Sequence, residues 1–422
     1  MSTSPAQPAR VPSQAIVVGA GMVGLSTAWF LQERGVEVTV VDRTGVAAGS
    51  SWGNAGWLAP ALTTPLPEPA VLRYGVKAVI SPSSPVYVPL RADAALLRFL
   101  TGFARHSTAK RWKRAMAVFA SVNGDALLAY DLLAAGGVAA PTKVADPFLV
   151  GFPTERERAP FVEEMHHVVH AGVPVDFEAI SGAAAREIEP ALGSGVGAAV
   201  RLAGQRYIDP GTYVNSLADS VIGRGGKILD GTTVHDVRDL GNSGVVVDTS
   251  SGELRADTVV LATGTWLNQL ARPYGVRRVV QAGRGYSFSV PMEKVPSNPV
   301  YFPDVRVACT PLGDRLRVAG MMEFRRPEAR LDPRRIRAII EAARPRLQGA
   351  RWGERTHEWV GSRPCTADGL PLAGVTRSPR VHVAGGHGMW GIALGPLTGR
   401  YVAEGVVTGQ VPAVMKAFDP LR

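Results

Sequence analysis

The chain has 422 residues, 46% of them hydrophobic and 19% charged, which excludes a disordered or fibrous polypeptide and leaves room for two domains with proper cores. Lysine and arginine outnumber aspartate and glutamate by 46 to 36, a net charge of +10 that suits anionic substrates, nucleic acid or an anionic membrane, and equally a plain arginine-rich surface. Cys309 and Cys365 stand far apart without metal-ligand spacing, so neither a disulfide framework nor a zinc site is expected.

Residues 1–13 are small, polar and Pro-containing and read as a loose leader without a signal-peptide pattern. Residues 15–42 follow as strand, glycine turn, helix and strand. In that βαβ unit Gly19 permits the tight turn, Gly21 lets the backbone approach a pyrophosphate, and Gly24 lets helix and strand pack closely. Met22 and Val23 open the helix whose N-terminus would receive the phosphate. Asp42 closes the second strand, where a carboxylate can accept hydrogen bonds from both ribose hydroxyls, and Arg43 follows it. The pattern marks a dinucleotide site but does not separate NAD from FAD.

The next stretch, Ser50-Ser51-Trp52-Gly53-Asn54-Ala55-Gly56, is rich in small residues that would let amides and hydroxyls crowd a pyrophosphate; the plain alternative is a flexible loop. Proline-rich sequence over 60–89 leaves the nucleotide domain, and a helical region is expected over 92–135. A strand at 148–151 precedes a helix over 154–172, with Thr154 and Glu157 in capping-box spacing. No apolar run approaches the roughly 18–20 residues of a membrane span. Basic runs at 110–114 and 325–337 come without a nucleic-acid motif.

A helix over 212–224 and strands over 227–237, 244–249 and 254–262 return to the first domain, the last ending in Ala262-Thr263-Gly264 with Trp266 beyond. Short strands between 284 and 320 predict a mainly antiparallel sheet, and a basic helix covers 333–347. A loop over 361–371, a strand over 380–384, a glycine turn over 385–391 and a helix over 393–407 finish the chain. The fold class is therefore α/β: a discontinuous Rossmann-like domain over 14–75, 196–272 and 355–422, with an α+β substrate domain over 76–195 and 273–354.

The segments at 19–24, 50–56, 262–264 and 385–391, with Asp42 and Gly361-Ser362-Arg363-Pro364, together resemble the FAD-dependent D-amino-acid oxidase superfamily. Within it the likeness is greatest to the D-amino-acid dehydrogenases. The resemblance implies FAD, held non-covalently because Cys365 is not at the position of a cysteinyl link. It adds Ala55, Val234, Gly264, Gly386, Gly388, Met389, Gly391 and Ile392 to the cofactor contacts above. It also implies oxidative deamination of a D-amino acid to a 2-oxo acid and ammonia, by hydride transfer from Cα to flavin N5.

Fixing the substrate carboxylate calls for a planar fork of donors, the role expected of Arg363; a structural pair with Asp368 is the alternative. Tyr286 is expected to donate to the same carboxylate, or else to be a strand packing residue. His387, between glycines, is expected to hydrogen-bond flavin or substrate, or to be a satisfied loop histidine. Met389-Trp390 depart from the small residues that often follow His-Gly in these dehydrogenases, which puts substrate identity in question.

The alternative activity is that of a secondary-amine or glycine-type oxidase on sarcosine, glycine, D-proline or hydroxyproline. A flavoprotein without amine chemistry and one that modifies nucleic acid are the remaining classes. No metal and no nucleic-acid partner are expected. The electron acceptor is left open between a quinone, an electron-transfer protein and oxygen. A cytoplasmic location is expected, with the basic surface compatible with peripheral contact on the inner face of the membrane.

Overall fold

The computed structural model describes residues 11–69, 84–88 and 93–422. Most of the expected leader, the later part of the proline-rich stretch and Ala92 at the expected helix start lie outside the described residues.

The nucleotide fold is a six-stranded sheet in the order Lys227–Leu229, Glu37–Val41, Gln14–Val18, Thr258–Leu261, Val381–Gly385 and Leu372–Val375. Its first five strands are parallel and its last is antiparallel. Alternation sends the two sets of side chains on these strands into different cores. Ala15 and Val17 face the helices, with Leu25, Trp29 and Leu394. Ile16 and Val18 face the other way, toward Val237, Val245 and Val247 of an antiparallel meander made by Val234–Asp239, Val245–Thr249 and Gly252–Ala256.

The first helix, Met22–Gln32, can sit this close to the sheet only through Gly24, where a Cβ would stand 1.9 Å from the Gly19 carbonyl oxygen. The last helix, Gly391–Thr408, packs beside it.

The second sheet runs Thr356–Thr366, Val280–Pro291, Arg315–Phe324, Val307–Leu312, Val300–Phe302, Phe148–Phe152, Ala198–Leu202 and Phe177–Ser181. It is antiparallel except where Val300–Phe302 meets Phe148–Phe152 and where the short Val86–Tyr87 joins Arg315–Phe324. Two of its strands fall outside the expected boundaries of the substrate domain. Ala198–Leu202 and Thr356–Thr366 were placed by sequence in the nucleotide domain, yet their ladders run to Phe148–Phe152 and Val280–Pro291. Helix Pro333–Ala343 covers one face through Ile336 and Ile339. Its N-terminus is capped by Asp332, which accepts from the Arg334 amide at 3.0 Å.

The expected helical region is three helices, Ala94–His106, Ala109–Asn123 and Ala126–Ala135. By length and composition alone, 109–135 would pass for a membrane span. Its buried face, including Phe119, Ala129, Tyr130 and Leu133, instead belongs to the main core, and the Tyr130 hydroxyl donates to the Ile392 carbonyl at 2.7 Å. Half of the capping box forms at the start of Glu155–His170: the Glu157 amide donates to Thr154 Oγ1 at 3.3 Å, while the Glu157 carboxylate accepts from that hydroxyl at 3.0 Å.

Candidate active site

A groove opens at the carboxyl ends of the parallel strands, where an open α/β sheet binds its ligand. It gathers Gly21, Met22 and Val23 from the first helix, Ser50, Ser51 and Asn54 from the small-residue loop, Ala262 and Gly264 after the central strand, and Gly388, Gly391 and Ile392 from the last helix entry. Arg363 and His387 complete its wall. The Met22 amide at the helix start donates to Ser51 Oγ at 3.1 Å, so loop and helix are already joined there.

Several expected contacts stand just outside this groove. Gly19, at φ +116, lies behind it, with its Cβ position 2.5 Å from the Ala262 carbonyl oxygen. Asp42 accepts from the Ala20 amide at 2.9 Å and from those of Thr44 and Gly45 at 2.8 and 3.0 Å, leaving lone pairs for a further donor. Val234 begins the meander close by, two residues after Thr232, whose amide donates to the Asp42 carbonyl at 2.9 Å. Arg43 stacks at 3.7 Å on Trp266, whose Nε1 donates to Glu328 at 2.9 Å. Gly56 and Gly386 hold positive φ at turns and stand outside the groove lining. Ala55 and Met389 face an adjoining cavity instead.

Arg363 stands where groove and cavity meet. Its strand pairs with Val280–Pro291, and its guanidinium lies over Gly285, where a Cβ would come within 2.2 Å of Nη2. Nη1 donates to the Met321 carbonyl at 2.7 Å. Among the described residues no carboxylate lies within ion-pair distance of it. Burial lowers its pKa, but a guanidinium stays charged at neutral pH. Asp368, the alternative partner, is taken by Arg422 at 3.0 Å and Arg278 at 3.6 Å. Among the described residues Arg363 is therefore a cation without a paired carboxylate.

Tyr286 is a correction. Gly283 and Gly285 face Arg363 and its neighbours, so strand alternation turns Arg284, Tyr286 and Phe288 toward the opposite core. There the Tyr286 hydroxyl donates to Glu323 Oε2 at 2.6 Å, beside the fully buried Arg284–Glu323 pair at 3.2 Å. The tyrosine lines neither groove nor cavity.

The cavity beyond Arg363 has a volume of about 230 Å³, below the roughly 300–1,000 Å³ of drug-sized clefts and suited to one amino acid. Met389 and Trp390 form part of its wall, and Trp390 Nε1 donates to the Thr64 carbonyl at 2.7 Å. The sequence reading missed Glu68, Glu164, Tyr301 and Arg306 in this cavity. They come from separate segments with no shared spacing, so no local signal could have joined them.

The pattern of one protein family, described as FAD dependent oxidoreductase, matches residues 14–405. The chain belongs to that family. A D-amino acid dehydrogenase of Cereibacter sphaeroides is 30% identical over 412 residues, covering 95% of this chain and 93% of its own. Among solved structures, glycine oxidase from Geobacillus kaustophilus shares the fold with a TM-score of 0.73 at 22% identity, over 97% of this chain and 98% of its own. L-alpha-glycerophosphate oxidase from Mycoplasma pneumoniae, solved with FAD bound, aligns with a TM-score of 0.72 at 17% identity, over 93% and 94%.

The groove of this oxidoreductase fits FAD on its own evidence. His387 Nδ1, in the groove wall, is a buried polar atom with no partner among the described residues, as expected where a polar cofactor completes the site. His387 Nε2 pairs with Thr398 Oγ1 at 2.9 Å, leaving Nδ1 for the ligand. Cys365 is buried, its thiol pushed up to about 12 by burial, which fits a cofactor held without a thioether.

Burial also pushes the His387 imidazole down to about 4, so the ring is neutral at physiological pH. A depressed histidine contributes stability above its unfolded value near 6.5 and loses it as pH falls toward about 4. Denaturant titrations of the protein should therefore show a loss on the order of 3 kcal/mol from this ring across that window. His387→Gln should remove about half of the loss in this window, because His382 is also buried and its imidazole also pushed down to about 4, and an unchanged profile would refute the assignment.

Proposed function

We propose that the protein is an FAD-dependent dehydrogenase that oxidises D-amino acids to 2-oxo acids and ammonia. The observation that carries this reading is Arg363, a buried guanidinium without a counter-ion at the junction of the cofactor groove and an amino-acid-sized cavity. The D-amino acid dehydrogenases among its relatives support the choice of substrate class.

Bound FAD supplies the two-electron acceptor. The residues of the chain do the rest by binding and orientation. Arg363, tethered through Nη1 to Met321, offers its other donors to the substrate carboxylate and so fixes the α-carbon at the groove. Met321, Met322, Met389 and Trp390 wall the site and lower its polarity, which favours the neutral α-amine needed for oxidation. The imino acid product then hydrolyses in water without a side-chain base.

The reading places the enzyme in amino-acid breakdown in the cytoplasm, passing electrons to a quinone, an electron-transfer protein or oxygen. Exposed Lys110, Arg111, Lys113 and Arg114 on Ala109–Asn123 support peripheral contact with an anionic membrane, where a quinone is available.

The test is anaerobic addition of D-alanine, D-proline, L-alanine, glycine and sarcosine to the purified yellow protein. Bleaching by D-amino acids but not by L-alanine is the expected result. Bleaching by glycine or sarcosine alone would replace this reading with the secondary-amine one, and a protein that binds no flavin would remove both.

A further inference from the structure

The cavity beside Arg363 carries charges that the oxidation itself does not use. We propose that the part of it away from the cofactor groove is a subsite for a cation on the substrate side chain, so that the preferred substrates are basic D-amino acids of the lysine, ornithine and arginine class. The inference rests on the D-amino-acid reading above.

Two carboxylates and one guanidinium line the cavity but not the groove: Glu68, Glu164 and Arg306. Glu164 sits on helix Glu155–His170 between Phe161 and Met165, whose side chains are also in the wall. At spacings of three and four residues these share one helix face, so a carboxylate is turned inward among apolar neighbours. Glu68 enters from the loop beyond the turn Pro60–Leu62, and Arg306 from the loop before strand Val307–Leu312. Arg306 holds φ at +52, a conformation side chains rarely adopt, so its surroundings fix it there. Tyr301 lines the same wall, close enough to feel the charges of this group and of Arg363.

Among the described residues none of the three makes a side-chain hydrogen bond or an ion pair within 4.0 Å. With both carboxylates ionised, two against one guanidinium leave the subsite one negative charge in excess. Burying such a charge without a partner is costly, and a ligand cation reaching between the glutamates would remove the cost. An acidic side chain would bring a third carboxylate to the same place and be repelled. A small side chain such as that of alanine would leave the subsite unfilled.

The environment of Glu164 agrees with this geometry. Burial and the neighbouring Glu68 push its carboxyl up to about 7, with Arg306 opposing them. The empty site thus holds a proton near neutral pH, and a docking cation releases it.

The experiment is anaerobic flavin reduction with D-lysine, D-arginine, D-norleucine and D-glutamate, comparing the wild type with Glu164→Gln and Glu68→Gln. D-norleucine matches lysine in length but lacks the charge. The wild type should prefer D-lysine to D-norleucine by about tenfold or more in kcat/KM, and that ratio should rise with pH through about 7 as Glu164 ionises. Each variant should lower the ratio by on the order of ten- to a hundredfold, the worth of a charge-assisted hydrogen bond.

Equal rates with D-lysine and D-norleucine in the wild type, or a preference for D-glutamate, would overturn the subsite while leaving the D-amino-acid reading intact. So would an equal loss with both substrates in the variants, which would assign the glutamates to the shared α-amine. Flavin that none of the four substrates reduces would overturn both readings together. Glu68 and Glu164 come from separate segments, so a folding failure in one variant leaves the other to decide.

Discussion

Arg363→Ala should lower kcat/KM for D-amino acids by about two to three orders of magnitude, measured per bound flavin. Removing one partner of a buried charge pair costs on the order of 3–5 kcal/mol, and here the pair forms only when the substrate carboxylate arrives. Arg363→Lys should recover part of the loss, because the charge remains while the planar fork is gone. Stability should respond differently. The guanidinium is buried against Gly285 without a counter-ion, so the empty protein bears a desolvation cost that alanine removes. Urea denaturation should find the alanine variant at least as stable as the wild type. An active variant, or an inactive and severely destabilised one, would show that Arg363 is structural.

Glu323→Ala should do the reverse and destabilise the protein by about 3–5 kcal/mol, read from the shift of its urea midpoint. Glu323 is fully buried, accepts from Arg284 at 3.2 Å and Tyr286 at 2.6 Å, and has Arg325 Nε at 3.3 Å. Its removal strands Arg284 in the core of the second sheet. Tyr286→Phe deletes one hydrogen bond to that carboxylate and should cost about 1.5–3 kcal/mol. It should leave substrate turnover per folded molecule in place, as the position of Tyr286 away from the cavity requires. A large loss of turnover with full stability would return the tyrosine to the active site.

What could be read from sequence follows how local the cause is. The turn at Gly19, Gly21 and Gly24 was legible because its sterics involve neighbouring residues and one strand. The position of Arg363 beside the groove was legible through the residues around it, although its tether to Met321 was not. Tyr286 was misread by a single step of strand alternation. Its neighbour Gly285 supplies the surface on which the guanidinium lies, and a glycine shows no side chain from which to argue a role. The domain boundaries slipped at Ala198–Leu202 and Thr356–Thr366, since a strand's sheet is decided by its partner and not by its own apolar pattern. Glu68, Glu164 and Arg306 meet only after both sheets have formed.

The strand order of the nucleotide sheet also bears on how the chain is made. Gln14–Val18 is flanked by Glu37–Val41, synthesised soon after it, and by Thr258–Leu261, which follows much later; Val381–Gly385 later still covers the free edge of that strand. A nascent polypeptide emerging from the ribosome therefore cannot finish its cofactor-binding half until Val381–Gly385 has been translated, whereas strands of the other half such as Phe148–Phe152 and Ala198–Leu202 can already pair. Acquisition of flavin waits on those late strands, and the early βαβ segment must wait with both outer strand edges exposed until Lys227–Leu229 and Thr258–Leu261 arrive.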